Sequence, residues 1–349
     1  MEGSFFKLFK DAIILVTGGT GSWGHELVKK LLPFEPKEIR IFSRNEFAQV
    51  NMKRKYSDNP ILKFVIGDVR DFEAVNEAAR NVDYIFHLSA LKHVPICEDQ
   101  PLEALKTNVH GTENVIKASL IQNVKKVIDV STDKAVEPIN FYGMTKAIGE
   151  KLAIQANQLS NHTRFVCIRG GNVIGTNGSA IPFFKDQIIH HHSVPLTSKE
   201  MTRFFLTVSQ AIDLLLYASE KAIGGEIFVM KMKACRIIDL IEVLKEHYAT
   251  KEITIKEIGI RPGEKLHEVL VSEAESRNAY KFDENYYVIL PDNASEELRE
   301  RYGKLPKVSF ARYQSNDKLM QLYEIEQILM DADFISTKAI FDKDVERKE

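Results

Sequence analysis

Apolar positions in this chain gather into short runs separated by helical patterns. Residues 12–16 form one continuous apolar run, closed by a glycine-rich stretch at 17–24, after which Leu27, Val28, Leu31 and Leu32 recur at helical spacing. That order predicts strand, loop and helix. The rhythm repeats, with strands expected over 38–42, 63–66, 83–88, 126–130 and 165–168 and helices over 46–56 and 72–79. Short apolar strands alternating with helices predict an α/β fold on a doubly wound parallel sheet. After Arg169 a loop rich in Gly and Asn at 170–178 breaks the alternation, which resumes only around 210–222 and 225–229. The expected division is a first domain over 1–170 joined by about 205–230, a smaller α/β lobe over about 171–204 and 231–330, and a solvated C-terminal tail over 331–349.

Length and charge narrow the field. At about 150 residues per domain, 349 residues accommodate this two-part division. Lys and Arg number 47 against 49 Asp and Glu, a formal net charge of −2. No overall basic field exists to hold a nucleic-acid backbone or an anionic membrane, and neither partner is expected. Cys97, Cys167 and Cys235 are few and lack a CxxC spacing, which argues against a disulfide framework or a zinc site and fits a reducing cytoplasm. No apolar run reaches the roughly 18 residues of a membrane span, and residues 1–10 lack the apolar core of a signal peptide.

Candidate chemistry begins at the first turn. Gly18, Gly21 and Gly24 form a GxxGxxG loop between strand and helix, where backbone amides approach a pyrophosphate and the helix dipole favours negative charge. At the end of the second strand a site for NAD usually carries an acidic residue for the ribose hydroxyls. Ser43 and Arg44 stand there instead, suited to a 2′-phosphate, so NADP is expected rather than NAD. Asp68 and Val69 follow the third strand and suit an adenine edge or a plain turn.

Tyr142 and Lys146 share a helix face at i, i+4, where the ammonium is expected to lower the phenol's pKa and make it a base. Ser131, Thr132, Asp133 and Lys134 close the fifth expected strand, at the sheet edge where open α/β folds bind ligands. Asn108, within a helical pattern, suits the pinning of a kinked backbone or a water chain. His190, His191 and His192 are consecutive and share no face, so a solvated loop is expected and no metal. Arg261 suits bidentate phosphate binding.

Residues 17–24, Ser131–Ala135, Tyr142–Lys146, Met201–Phe204 and Arg261–Glu268 together resemble the extended short-chain dehydrogenase/reductases, and within them the UDP-N-acetylglucosamine 4,6-dehydratases. The likeness runs from about residue 8 to 330. It implies a Rossmann domain with a substrate lobe, an NADP cofactor, a UDP-sugar substrate and a homo-oligomer. It also implies roles. Tyr142 would take the proton of the sugar 4-hydroxyl with help from Thr132 and Lys146. Lys134, made neutral by burial or nearby positive charge, would remove the C5 proton, and Asp133 would protonate the departing 6-hydroxyl.

By the same resemblance Thr17, Gly18, Thr20, Gly21, Ser22, Trp23, Gly24, Ser43, Arg44, Asp68, Val69, Leu88, Ala90, Lys92, Asn108, Tyr142 and Lys146 hold the cofactor, while Lys92, Asn172, Arg203, Arg261 and Glu264 meet the substrate. The membrane-fused branch of the family tends to carry Met in place of the tyrosine, and this chain carries Tyr142, which implies the branch that inverts C5. Two positions depart from the pattern: Gly170 replaces an aromatic residue, and Asn45 replaces an Asp. A nucleotide-sugar 4-epimerase or reductase shares the tyrosine and lysine but needs no Asp-Lys pair. A catalytically silent NADP-binding sensor needs neither.

Overall fold

The computed structural model describes residues 2–176 and 179–336. The first half supplies strands β1 (Ile13–Thr17), β2 (Glu38–Ser43), β3 (Leu62–Ile66), β4 (Tyr84–His87), β5 (Lys126–Thr132) and β6 (Arg164–Gly170). They pair in parallel in the order β6-β5-β4-β1-β2-β3. The order reverses between β1 and β4, and it is outside the carboxyl ends of strands at such a reversal that doubly wound sheets open a crevice. Ile14, Leu15, Val16, Ile85, Phe86, Ile128 and Val166 are wholly or almost wholly buried. Helices on both faces therefore explain why these strands read as unbroken apolar runs rather than alternating ones.

Two details of the first turn are dictated by contact. Gly18 has φ +66°, and a Cβ there would lie 3.0 Å from the Ser89 nitrogen. A Cβ at Gly24 would sit 2.1 Å from the Gly19 carbonyl oxygen, inside the first turn of the helix Ser22–Leu31. Only glycine lets that helix start so close to the loop.

The second half builds smaller sheets. Thr202–Thr207 pairs with Asn172–Ile174 and Lys233–Arg236, Ser193–Leu196 with Thr254–Glu257, and Val269–Val271 with Tyr313–Gln314. Ile174, Ile188, Leu240, Leu244, Ile325 and Leu329 form their own core. The helix Val208–Lys221 and the strand Ile227–Met230 return to the large sheet, the strand pairing in parallel with β6. The expected division needs two corrections. Ala279–Lys281 and Tyr286–Ile289, assigned by sequence to the smaller lobe, extend the large sheet antiparallel beyond Ile227–Met230 and make it nine-stranded. Buried Val288 and Ile289 on that strand cover the edge that Ile227–Met230 would otherwise expose. The amphipathic helix Leu322–Asp331 packs in the smaller lobe, so the expected tail begins later than 331, and residues 337–349 lie outside the described residues. Among the described residues no helix is long and apolar enough to cross a membrane.

One guanidinium joins the two halves. Arg169, 1% exposed, donates from Nε and Nη2 to both oxygens of Glu150 at 3.0 and 2.7 Å, and from Nη1 and Nη2 to Glu275 at 3.1 and 2.9 Å. It also donates to the Leu270 carbonyl at 2.9 Å. Burial disfavours its charge, yet the two carboxylates hold it firmly protonated. Arg169→Met leaves Glu150 buried without its partner, and removal of one member of a buried pair costs about 3–5 kcal/mol. A urea unfolding curve is expected to show that loss, with the midpoint falling while the slope stays unchanged.

Candidate active site

A cleft of about 1510 Å³ runs along the carboxyl ends of the strands, from the glycine loop to the smaller lobe. Its dinucleotide end is lined by Gly18, Thr20, Gly21, Ser22, Trp23, Ser43, Arg44, Asp68, Val69, Leu88, Ala90 and Lys92. The residues fit a dinucleotide. The helix Ser22–Leu31 has no acidic residue in its first turn and no side chain capping it, so its free N–H groups at the cleft favour a pyrophosphate. At the other end of the same wall Arg44 is half-exposed, 3.4 Å from the Asp68 carboxylate, which Arg70 also holds at 2.6 Å. Asn45 caps the helix Glu46–Lys55, its Oδ1 accepting from the Ala48 nitrogen at 2.9 Å.

Three residues expected on the cofactor stand behind the cleft instead. Thr17 is fully buried, its hydroxyl 2.7 Å from His87 Nδ1, and Thr112 meets the other ring nitrogen at 3.1 Å. Burial and the charge of Lys146 hold His87 neutral, with a pKa of about 3. Gly24 packs on Gly19. Asn108 sits in a π-helical turn, Lys106–His110, where its amide accepts from the Leu91 nitrogen at 2.8 Å and donates to the Leu91 carbonyl and the Thr145 hydroxyl at 2.9 and 3.0 Å. It pins the kinked helix to the loop that carries Lys92.

The reactive end is assembled by β5 and the helix Phe141–Ala156. β5 runs on to Thr132, beyond its expected end, because its ladder with β6 continues to the pairing of Thr132 with Gly170. Asn140 caps the helix by accepting from the Gly143 nitrogen at 2.7 Å, which brings Tyr142 and Lys146 to the cleft. Asp133 Oδ1 accepts from the Thr132 hydroxyl at 2.9 Å and from Lys134 Nζ at 3.0 Å. Lys134 Nζ also donates to Asn172 Oδ1 at 3.2 Å and lies 3.5 Å from Glu268 Oε1. Asn172, Arg203, Arg261 and Glu264 line the same end, as does Lys92, whose ammonium burial disfavours. Much of Arg203 is spent internally, since Nη1 donates to the Thr202 and Leu266 carbonyls at 2.8 and 3.2 Å.

The electrostatics correct three expectations. Tyr142 is not a lowered phenol: burial raises it, and Lys146, Lys134 and a hydrogen bond with Thr132 only partly offset that. Lys146 cannot give the phenol its whole charge because buried Asp129 Oδ1 lies 3.6 Å from it. Lys134 is not a depressed amine either. Burial disfavours its ammonium, but Asp133 and Glu268 outweigh burial and hold it well above an ordinary lysine. Finally, Asp133 is wholly buried and absent from the cleft wall, reaching it only through Thr132 and Lys134.

Asp129 and Glu268 are the charged partners of Lys146 and Lys134 that the residue order did not single out. Asp129 had a signal, as a charged residue in the apolar run 126–130. Glu268 stood in the quoted stretch after Arg261, without any mark to separate it from Glu264. At Gly170 an added Cβ would meet nothing within 4 Å, so the missing aromatic ring leaves open space at the end of β6. His190 and His191 extend a helix as a π-helical turn, Gln187–His191, rather than a loop, and His192 ends it in the left-handed conformation. Among the described residues no group of His, Cys, Asp and Glu is placed to hold a metal ion.

The family described as "Polysaccharide biosynthesis protein" matches residues 14–290. An uncharacterized membrane protein of Methanocaldococcus jannaschii is 47% identical over 82% of this chain and 87% of its own length. A UDP-N-acetylglucosamine 4,6-dehydratase (inverting) of Campylobacter jejuni is 43% identical over 81% of this chain and 84% of its own. A UDP-glucose 4-epimerase of Rickettsia akari is 42% identical over 94% and 98%. The crystal structure of Pen from Bacillus thuringiensis superposes with a TM-score of 0.86 at 37% identity, covering 93% of this chain and 99% of that one.

The pairing of Asp129 with Lys146 has a measurable sign. Asp129→Asn frees the Lys146 charge for the phenol, so Tyr142 is expected to titrate at lower pH than in the parent protein. Phenolate absorbance, taken as the difference from a Tyr142→Phe background, reads that titration. An unmoved curve contradicts the assigned role.

Proposed function

Because this chain belongs to the polysaccharide biosynthesis protein family, we propose that it is a nucleotide-sugar 4,6-dehydratase acting on UDP-N-acetylglucosamine. Its product is the C5-inverted UDP-2-acetamido-2,6-dideoxy-4-hexulose of L-arabino configuration. The observation that carries this reading is the meeting of two devices at one end of the cleft. Tyr142 and Lys146 are the means of oxidising an alcohol, and the Asp133–Lys134 pair, in contact at 3.0 Å, is the means of eliminating water beside the resulting ketone.

Gly18, Gly21 and the first turn of the helix Ser22–Leu31 would hold the pyrophosphate of a nicotinamide dinucleotide, with Ser43 and Arg44 at its ribose end. When bound, that cofactor supplies the two-electron chemistry, taking a hydrogen with its electron pair from C4 and returning it to C6. NADP is the form favoured by Arg44 and by the absence of an acidic residue at the end of β2. Tyr142 takes the 4-hydroxyl proton, and Lys146 and the Thr132 hydroxyl stabilise the phenolate. The 4-ketone acidifies C5. Lys134 Nζ removes the C5 proton, and Asp133 delivers a proton to the departing 6-hydroxyl through the Thr132 hydroxyl that it already binds at 2.9 Å; as the hydride returns to C6, C5 takes a solvent-derived proton on its opposite face, which inverts that centre. Asn172 fixes Lys134 from one side, while Lys92, Arg203, Arg261 and Glu264 receive the nucleotide sugar.

With this reading go a cytoplasmic location, a homo-oligomeric enzyme and a place at the entry to bacterial surface-sugar synthesis of the pseudaminic-acid kind. The second reading, a 4-epimerase, is favoured by the Rickettsia relative. It gives no work to Asp133 and Lys134.

A proton NMR time course with UDP-N-acetylglucosamine in deuterated water is expected to show the C6 hydroxymethyl replaced by a methyl, deuterium at C5 and the coupling of an inverted centre. An unchanged sugar, or epimerisation at C4 alone, sinks the assignment. Lys134→Ala is expected to lower elimination by about 10²–10⁴-fold, the usual worth of a positioned base, while C4 oxidation persists. Arg44→Ala is expected to weaken NADP⁺ by about tenfold or more relative to NAD⁺ in a binding titration, as loss of a charge-assisted hydrogen bond requires.

A further inference from the structure

Glu268 has the marks of a group kept for the reaction rather than for the fold. Its side chain is 3% exposed, yet it lines the cleft. Oε1 lies 3.5 Å from Lys134 Nζ and 3.7 Å from Arg203 Nε, and buried Oε2 has no hydrogen-bond partner. A carboxylate recruited for stability satisfies both oxygens, because an unpaired buried one is costly. Its backbone, by contrast, is fully tied: the nitrogen donates to the Ser315 hydroxyl and the carbonyl accepts from the Ser315 nitrogen, both at 2.9 Å. The polypeptide thus presents a rigidly held, half-satisfied carboxylate from the smaller lobe to a lysine of the larger one.

We propose that Glu268 is a positioning residue that holds the Lys134 ammonium against Asp133 and sets the pH window in which the elimination runs. The proposal rests on the dehydratase reading for its chemistry. In the resting site Lys134 is an ammonium between two carboxylates. One proton passes from Lys134 Nζ to Asp133 Oδ1 across their 3.0 Å contact, giving a free amine and a carboxylic acid together. Burial and the neighbouring Glu268 charge favour protonated Asp133, whereas Lys134, Arg203 and Lys265 keep Glu268 ionised. Of the two carboxylates, Asp133 is therefore the one that accepts the proton. The amine then takes the C5 proton as the C5–H electrons form the C5=C6 bond. The C6–O bond breaks, and the acid's proton leaves with that oxygen as water. Lys134 is an ammonium again and Asp133 a carboxylate, so the pair returns to its resting charge without solvent.

The charged and titratable groups facing Lys134 are Asp133 beside it, Tyr142 on the helix Phe141–Ala156, Arg203 on Thr202–Thr207, and Lys265 and Glu268 before Val269–Val271. Removing the Glu268 charge leaves Arg203 and Lys265 acting against the ammonium. Both the base and the acid of the pair then titrate lower, and the bell of pH dependence moves down as a whole.

The test is an NMR titration of Lys134 in protein labelled at the lysine ε-carbon, assigned by loss of its signal in Lys134→Arg, and compared between the parent and Glu268→Gln. The Lys134 signal is expected to titrate at lower pH in Glu268→Gln. With UDP-N-acetylglucosamine and NADP⁺, the acid limb of C5 deuterium exchange is expected to move down in step, with the pH profile of C4 oxidation unmoved. An unshifted Lys134 titration overturns the proposal, as does an equal fall of both half-reactions with no shift of the limb. If Glu268→Gln does not fold, Glu268→Asp, which withdraws the carboxylate by one methylene, decides in the same way. A parent protein that leaves the nucleotide sugar untouched sinks the dehydratase reading instead, and the titration still decides the role of Glu268.

Discussion

The catalytic geometry depends on Arg169. Its guanidinium ties together three pieces that must stay in register: the end of β6, the helix that carries Tyr142 and Lys146, and the segment that begins one residue after Glu268. Glu150 lies one helical turn from Lys146, so gripping Glu150 fixes the rotation of that helix. The Leu270 carbonyl lies two residues from Glu268, so gripping it fixes how far the smaller lobe reaches into the cleft. A planar fork with five donors meets both demands at once, and an ammonium would not. The Ser272–Glu275 capping box in turn holds Glu275 where Arg169 needs it.

Around this anchor the cleft balances its charges in pairs. Lys146 is matched by Asp129 and Lys134 by Asp133 and Glu268, all of them buried or nearly so. Each cation is thereby kept from desolvation loss, and each is also restrained from acting fully on its neighbour. The consequence is a site poised for charged ligands rather than active without them. Burial keeps Tyr142 a phenol, and the carboxylates of Asp133 and Glu268 keep Lys134 an ammonium.

Much of this was legible in the residue order. Continuous apolar strands, the glycine turn and the Tyr142–Lys146 spacing led directly to the parallel sheet and to the cleft at its carboxyl edge. Three kinds of error had separate physical causes. Thr17 and Asn108 sit within motifs that touch the cleft, but strand alternation and a π-helical turn direct their side chains inward. The strands Ala279–Lys281 and Tyr286–Ile289 join the large sheet although they follow the smaller lobe in the chain, and local pattern carries no record of that return. The protonation states of Tyr142 and Lys134 were assigned from one neighbour each, whereas burial and the opposing carboxylates decide the balance.

The sequence by itself determined which residues can do chemistry and which face of a helix or edge of a strand they occupy, because those follow from the 3.6-residue and two-residue periods of the backbone. Tertiary structure alone decided what stands opposite them. Glu268 meets Lys134 across 134 positions of chain, and Asp129 lies under Lys146 because β5 and its following helix pack face to face. Electrostatic energy falls with distance through space and not along the chain, so the charge state of the site is a property of the folded arrangement.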